Sequence, residues 1–241
     1  MSAAIPWEDW NGSFIDRLWT TVWLASSDPI ATFGRLGAAT GERDLAAGAR
    51  FALLVSLIGW APLLLLSPCL AVVPIAFASY LPERAQAVGA GVAVMIILAI
   101  PIVFVLSSVG FELFYGLLFH LFARLFGGVG DLPGSMHAML YTSAIRFWLC
   151  PGIFLGFIPF IGTMISVALR TGFMIWGGVA CYGTARSLHK LADGPAIGVA
   201  VLTPLVASMV VAGLVMVSIF GIVALVVGTA SMDQLLCQGG A

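Results

Sequence analysis

Charge is what this chain has least of. Asp, Glu, Lys and Arg make up 9% of its 241 residues and the apolar set 61%, against roughly 25% and 45–50% in soluble domains. A water-soluble fold of this length has no interior large enough for that much apolar surface. The net charge is −1 and no basic block exists, so the electrostatic footprint for DNA or RNA is missing and nucleic acid is not an expected partner. Four cysteines, Cys69, Cys150, Cys181 and Cys237, lack C-x-x-C spacing, which removes zinc and thioredoxin-like readings. Cys150 and Cys181 are expected to pack as small apolar residues, and nothing in the sequence argues for pairing Cys69 with Cys237. His120 and His137 are not in H-E-x-x-H, Ser107 and Ser108 lack a G-x-S-x-G setting, and no Gly-rich loop fits a phosphate. No catalytic residue, metal or cofactor is expected. The first nine residues carry Glu8 and Asp9 and no base, so a cleaved signal peptide is not expected, and the first spanning helix serves as the targeting signal.

What is present is a series of long apolar runs. With about 20 residues per crossing, five segments are expected, at approximately 51–81, 87–126, 140–157, 161–182 and 195–227. The first holds Pro62, Pro68 and Pro74 and exceeds the bilayer core, which predicts tilt, a kink or a break near Pro68. The second is long enough to protrude. Residues 127–134 contain five Gly or Pro in eight positions, a reversal signal. The third segment is short and carries Pro151; it meets the fourth through Pro159 and Gly162 as a tight hairpin. Pro195 after Asp193 and Gly194 suits the first turn of the fifth.

Of ten basic residues, eight lie on one side of this alternation: Arg17, Arg35, Arg43, Arg50, Arg124, Arg146, Arg186 and Lys190. Positive loops stay cytoplasmic, so the expected fold is all-α, polytopic, with the N-terminus inside, the C-terminus outside and residues 231–241 as a short external tail. Residues 1–50 form a cytoplasmic helical region. In it Phe14, Leu18, Trp19, Val22 and Trp23 recur at helical spacing, which predicts a helix that lies on the membrane surface or packs on the ends of the bundle. Asp28 and Pro29 predict the start of a second short helix bearing Phe33 and Leu36.

Charges at membrane depth invite a functional reading. Ser108, Glu112, Gly116, His120 and Arg124 follow at i+4 and form a polar stripe on one side of the second segment. Arg170 sits in the middle of the fourth segment at a cost of roughly 2.5–3.5 kcal/mol, and Glu112 is its expected partner by sign. As a structural clamp, Glu112 and Arg170 join two helices; as a transport device, Glu112 and His120 relay a proton with Arg170 as counter-charge. The clamp is favoured because only one segment presents a polar face. Gly152 and Gly156 read as packing inside the bundle.

The order His120-Leu121-x-x-Arg124-Leu125-Phe126-Gly127-Gly128, then Tyr141-x-Ser143-Ala144, Ile158-Pro159-x-x-Gly162, and Ala185 through Ala196-Ile197 to Pro204 resembles the Yip (Ypt-interacting protein) family. Pro6-Trp7-Glu8 and Asp28-Pro29 with Phe33 are similar to the opening of its prokaryotic members. The resemblance covers most of the chain and is weakest in the first two segments. It implies five membrane helices with a cytoplasmic N-terminus and, for a prokaryotic member, a bacterial cytoplasmic (inner) membrane location. Eukaryotic members bind Rab-type GTPases, a partner that does not carry over to this chain. The expected function is non-enzymatic: organising membrane lipids or other membrane proteins, with self-association possible. A small transporter or lipid translocator built on Glu112, His120 and Arg170 is the competing reading, and a chaperone-like subunit of a larger complex a third.

Overall fold

The computed structural model describes residues 5–9, 12–38, 44–70, 72, 76, 83–156, 158 and 160–238. Their regular structure is helical. In chain order the elements are α1 (Pro6–Asp9), α2 (Phe14–Ser27), α3 (Pro29–Ala38), α4 (Leu45–Leu70), α5 (Glu83–Leu125), α6 (Leu132–Leu140), a 3-10 helix (Tyr141–Trp148), α7 (Leu149–Gly156), α8 (Ile161–Ser187) and α9 (Asp193–Gln238). Four helices among the described residues are long and apolar enough to cross a membrane: Leu45–Cys69, Ile102–Leu125, Gly162–Ser187 and Asp193–Ser218. Residues from Pro204 onward, the later part of α9, form a unit of their own; its large apolar side chains, such as Met209, Leu214, Val217 and Phe220, are exposed.

The stretch expected as a third spanning helix, 140–157, is not one continuous α-helix: it holds the last residue of α6, the 3-10 helix and α7 end to end. Its hydroxyl side chains turn back on the main chain. Ser143 Oγ donates to the Leu140 carbonyl at 2.7 Å, and Thr142 Oγ1, 2.6 Å from the Met139 carbonyl, shares its single proton between that carbonyl and Glu112, so both hydroxyls engage carbonyls that an α-helix would use. Pro151 then removes the N–H that would bond the Phe147 carbonyl. The first segment also shifts: α4 starts at Leu45, so a region boundary at residue 50 falls inside a helix. It carries Pro62 and Pro68 within its length. Pro159 and most of 71–82 lie outside the described residues.

Side-chain pairs give the direction of each element. Along α4, Gly48 packs on Leu140, Phe51 on the Tyr141 ring at 4.9 Å, and Ser56 and Gly59 on Arg146. The broken segment therefore runs parallel to α4. From Gly48 to Ser56 α4 rises about 12 Å at ~1.5 Å per residue, and the segment from Leu140 to Arg146 covers that distance with fewer residues because a 3-10 helix rises ~2 Å each. Against the broken segment α5 is antiparallel, with Glu112 at Thr142, Gly116 at Met136 and His120 at Ser135. Beside α5 runs α8 in the same sense, with Tyr115 at Cys181 and Phe119 at His189, a residue that follows α8. The first turns of α9 return antiparallel to α8, with Asp193 at Arg186 and Ala200 at Gly178.

The two N-terminal helices begin where their caps stand. Ser13 Oγ accepts from Asp16 N–H and Asp28 Oδ1 from Ala31 N–H. Helix α2 buries Leu18, Thr21, Val22 and Ala25 and lies along the 3-10 helix, where Trp19 meets Phe147 and Trp148, and Trp148 Nε1 donates to Ser26 Oγ. Helix α3 packs on α8 through Phe33, whose ring meets Trp176 edge-on at 5.6 Å, and through Gly37 against Ser187.

The α4 contact with the broken segment depends on a missing side chain. A Cβ at Gly59 would stand 2.3 Å from the Arg146 carbonyl oxygen, which is main chain and cannot step aside. Gly59→Val is expected to cost about 1–3 kcal/mol and lower the thermal unfolding midpoint in detergent, whereas Gly91→Ala, with nothing within 4 Å of the new carbon, leaves it level or higher.

Candidate functional site

Glu112 lies 3% exposed on α5, where an unpaired carboxylate would cost several kcal/mol. Its two oxygens are both engaged. Oε1 is 2.6 Å from Arg146 Nη2, and Oε2 accepts from Thr142 Oγ1 at 2.6 Å. Arg146 also donates from Nη1 to Ser56 Oγ at 3.0 Å and lies over the Phe111 ring at 5.8 Å. One cation, one anion and two hydroxyls from α4, α5 and the 3-10 helix thus form a neutral, hydrogen-bonded cluster in an apolar wall.

The partner of Glu112 among the described residues is thus Arg146, where the sequence pointed to Arg170. Helix α8 carries Arg170, whose side chain lies outside the described residues, and Glu112 is taken by Arg146. Counting Arg146 as a loop charge hid it. Yet it falls inside the run 140–157, and a charge inside an apolar run was the signal that should have matched it with Glu112.

Of the rest of the stripe, Ser108 is buried, His120 is partly buried and Arg124 is exposed. Ser108 Oγ donates to the Val105 carbonyl on its own helix at 2.6 Å. His120 Nδ1 is 3.3 Å from Ser135 Oγ, and Arg124 Nη1 donates to the Gly128 carbonyl at 3.1 Å. Glu112 and His120 are separated by two turns, about 12 Å at ~1.5 Å per residue, with Gly116 between them against Met136. They have separate partners and no direct contact.

Two clusters that sequence reasoning missed gather on α6. In the first, Ser135 Oγ donates to the Asp131 carbonyl at 3.0 Å and lies 2.9 Å from His189 Nε2. With its one proton spent, Ser135 accepts from His189, which leaves His189 Nδ1 bare; that atom is buried and has no hydrogen-bond partner among the described residues. Gly128 and Gly130 let the His189 loop close in, since a Cβ on either would come within 2.9 Å of its side chain, and Val129 N–H bonds the His189 carbonyl. Burial pushes the His189 imidazole down to about 4, with His120 and Arg124 adding repulsion and Asp131 opposing it. Gly127, at φ 87°, makes the turn.

The second cluster clasps the N-terminus. Glu8 Oε1 accepts from the Tyr141 hydroxyl and lies 2.7 Å from His137 Nε2, and Trp7 Nε1 donates to the Ala47 carbonyl at 3.0 Å. Residues 6–8 and Tyr141, separate motifs in sequence, thus meet in space. Gly162 N–H bonds the Ile158 carbonyl at the start of α8. On α2, Leu18 and Val22 are buried while Phe14, Trp19 and Trp23 are about half exposed.

Two outcomes follow. Glu112→Gln leaves Arg146 buried without its anion and is expected to destabilise by about 3–5 kcal/mol, while Glu112→Gln with Arg146→Met recovers much of that loss; thermal unfolding in detergent reads both. For His189 the folded pKa lies below its ordinary value of about 6.5, so the unfolded chain takes the proton first. Its contribution is full above about pH 6.5 and is lost as pH falls toward about 4. His189→Gln should flatten that part of the stability profile.

Comparison with models of known protein families, with curated proteins and with solved structures returns no match.

Proposed function

We propose that this chain is a non-enzymatic membrane protein of the Yip type, crossing five times, that organises the leaflet on its basic side and the proteins within it. The alternating helix directions support the crossings: α4, α5, the broken segment, α8 and the start of α9 alternate in sense. The broken segment stands in for a spanning helix, since 3-10 geometry stretches it to match its neighbours. Arg124, Arg186 and Lys190 gather where α5 and α8 end, which the positive-inside rule assigns to the cytoplasm. On a prokaryotic reading that membrane is the bacterial inner membrane. Lipids are the primary partners, other membrane proteins or a second copy secondary ones, and the GTPase partners of eukaryotic Yip proteins are not carried over.

One observation carries the mechanism. Helix α2 is apolar on both faces: Leu18, Val22 and Ala25 are buried in the bundle, while Phe14, Ile15, Trp19 and Trp23 are 47–73% exposed. Trp19 and Trp23 lie near-parallel, ring centroids 6.2 Å apart. Indole rings held rigidly on the outside of a membrane domain favour the lipid headgroup boundary. The helix acts as a fixed wedge in one leaflet. Against a proton relay, Glu112 and His120 are each held by separate bundle partners.

Vesicles reconstituted with the protein are expected to show a smaller mean diameter and a changed signal from a lipid-order probe. Trp19→Glu with Trp23→Glu, on the exposed face, should abolish both effects while the protein stays folded by circular dichroism. Vesicles that respond identically to the two proteins would remove the wedge.

A further inference from the structure

Between α1, α2 and the first turns of α4 lies a cavity of about 630 Å³, within the ~300–1,000 Å³ usual for small-molecule sites. Its polar lining is Glu8, Arg17, Asp44 and Arg50, and Trp7 and Phe14 form an aromatic wall.

The charges in it are unevenly used. Arg17 has no carboxylate partner among the described residues; its guanidinium carbon lies 5.8 Å from the Trp7 ring centroid, and its Nε is buried with no hydrogen-bond acceptor. A buried donor left bare is costly, and the planar guanidinium matches a phosphate oxygen. Both bonds to Glu8 fall on Oε1, so Oε2 has no donor among the described residues. Asp44 caps α4 through Oδ1, which accepts from Ala47 N–H. Its Oδ2 reaches Arg50 only at 3.5 Å, with both side chains more than half exposed, a pair of little strength that a ligand can replace.

The site therefore offers a free cation and two carboxylates with spare acceptor capacity, which together match a molecule carrying one phosphate and one primary ammonium. Phe14 both lines the cavity and is 50% exposed, beside the exposed Ile15, and this opens an apolar path for acyl chains. We propose that the cavity binds the head group of a zwitterionic aminophospholipid, with phosphate on Arg17 and ammonium between Glu8 and Asp44. This needs the chain to sit in a membrane but does not need the wedge.

The test uses the full-length protein in mild detergent, with native mass spectrometry after addition of dioleoyl phosphatidylethanolamine, dioleoyl phosphatidylglycerol or water-soluble glycerophosphoethanolamine. Wild type is expected to retain the ethanolamine lipid in preference to the glycerol lipid, and Arg17→Gln to retain it at least about tenfold less, the worth of one charged hydrogen bond. Asp44→Asn keeps the helix cap and is expected to reverse the preference toward the glycerol lipid. The Trp19→Glu, Trp23→Glu protein should still bind like wild type, which separates this site from the wedge. Equal retention by wild type and Arg17→Gln, or an unchanged preference in Asp44→Asn, would overturn the proposal. So would saturable binding of glycerophosphoethanolamine with no lipid retained, which would assign the cavity to a soluble phosphodiester.

Discussion

The ion pair of Glu112 and Arg146 is the constraint around which the bundle is arranged. Neither charge is tolerable alone in an apolar wall, so α5 and the 3-10 helix cannot separate without exposing both. The pair also reaches α4, because Ser56 takes a second bond from Arg146 and Gly59 admits the Arg146 carbonyl. Three elements are therefore held at one level by one guanidinium. Thr142 shares its one hydroxyl proton between the Glu112 carboxylate and the Met139 carbonyl. The same side chain satisfies the ion and shapes the backbone that delivers it.

A second level of ties lies around α6. His137 and Tyr141 hold Glu8, and Ser135 holds His189 and faces His120. The short helix is thereby gripped by the N-terminal segment on one side and by the loop between α8 and α9 on the other. Polar contacts of this kind specify one arrangement where apolar packing alone tolerates several, because a mismatched histidine or carboxylate would be left buried without a partner. The glycines of the turn at 127–130 serve the same end by admitting the His189 ring.

Much of the fold was legible in one dimension. Long apolar runs located α4, α5, α8 and α9, since length and hydropathy are properties of a single segment. Asp28 and Pro29 marked the start of α3, and helical spacing grouped Phe14, Leu18, Trp19, Val22 and Trp23 on α2, but only the packing divided them into buried Leu18 and Val22 and half-exposed Phe14, Trp19 and Trp23. The third run misled because Pro151 and the hydroxyls of Thr142 and Ser143 act through backbone hydrogen bonds, which hydropathy does not register. Arg170 drew attention as the charge nearest the middle of a run, whereas Arg146 stands only a few residues into its own. The pairing of Glu8 with His137 carried no signal, the two being separated by most of the chain.

Sequence alone determined that this is an all-helical chain with several helices built to meet lipid, because the free energy of placing a side chain in oil or water is a property of that side chain. It also determined the i+4 polar stripe, because helical periodicity is local. Tertiary structure decided which charge answers Glu112, which histidines meet Ser135 and where Arg17 is left without an anion among the described residues. Those outcomes depend on distances between residues remote in sequence, set by the relative direction and level of packed helices, and no periodicity within one helix encodes them.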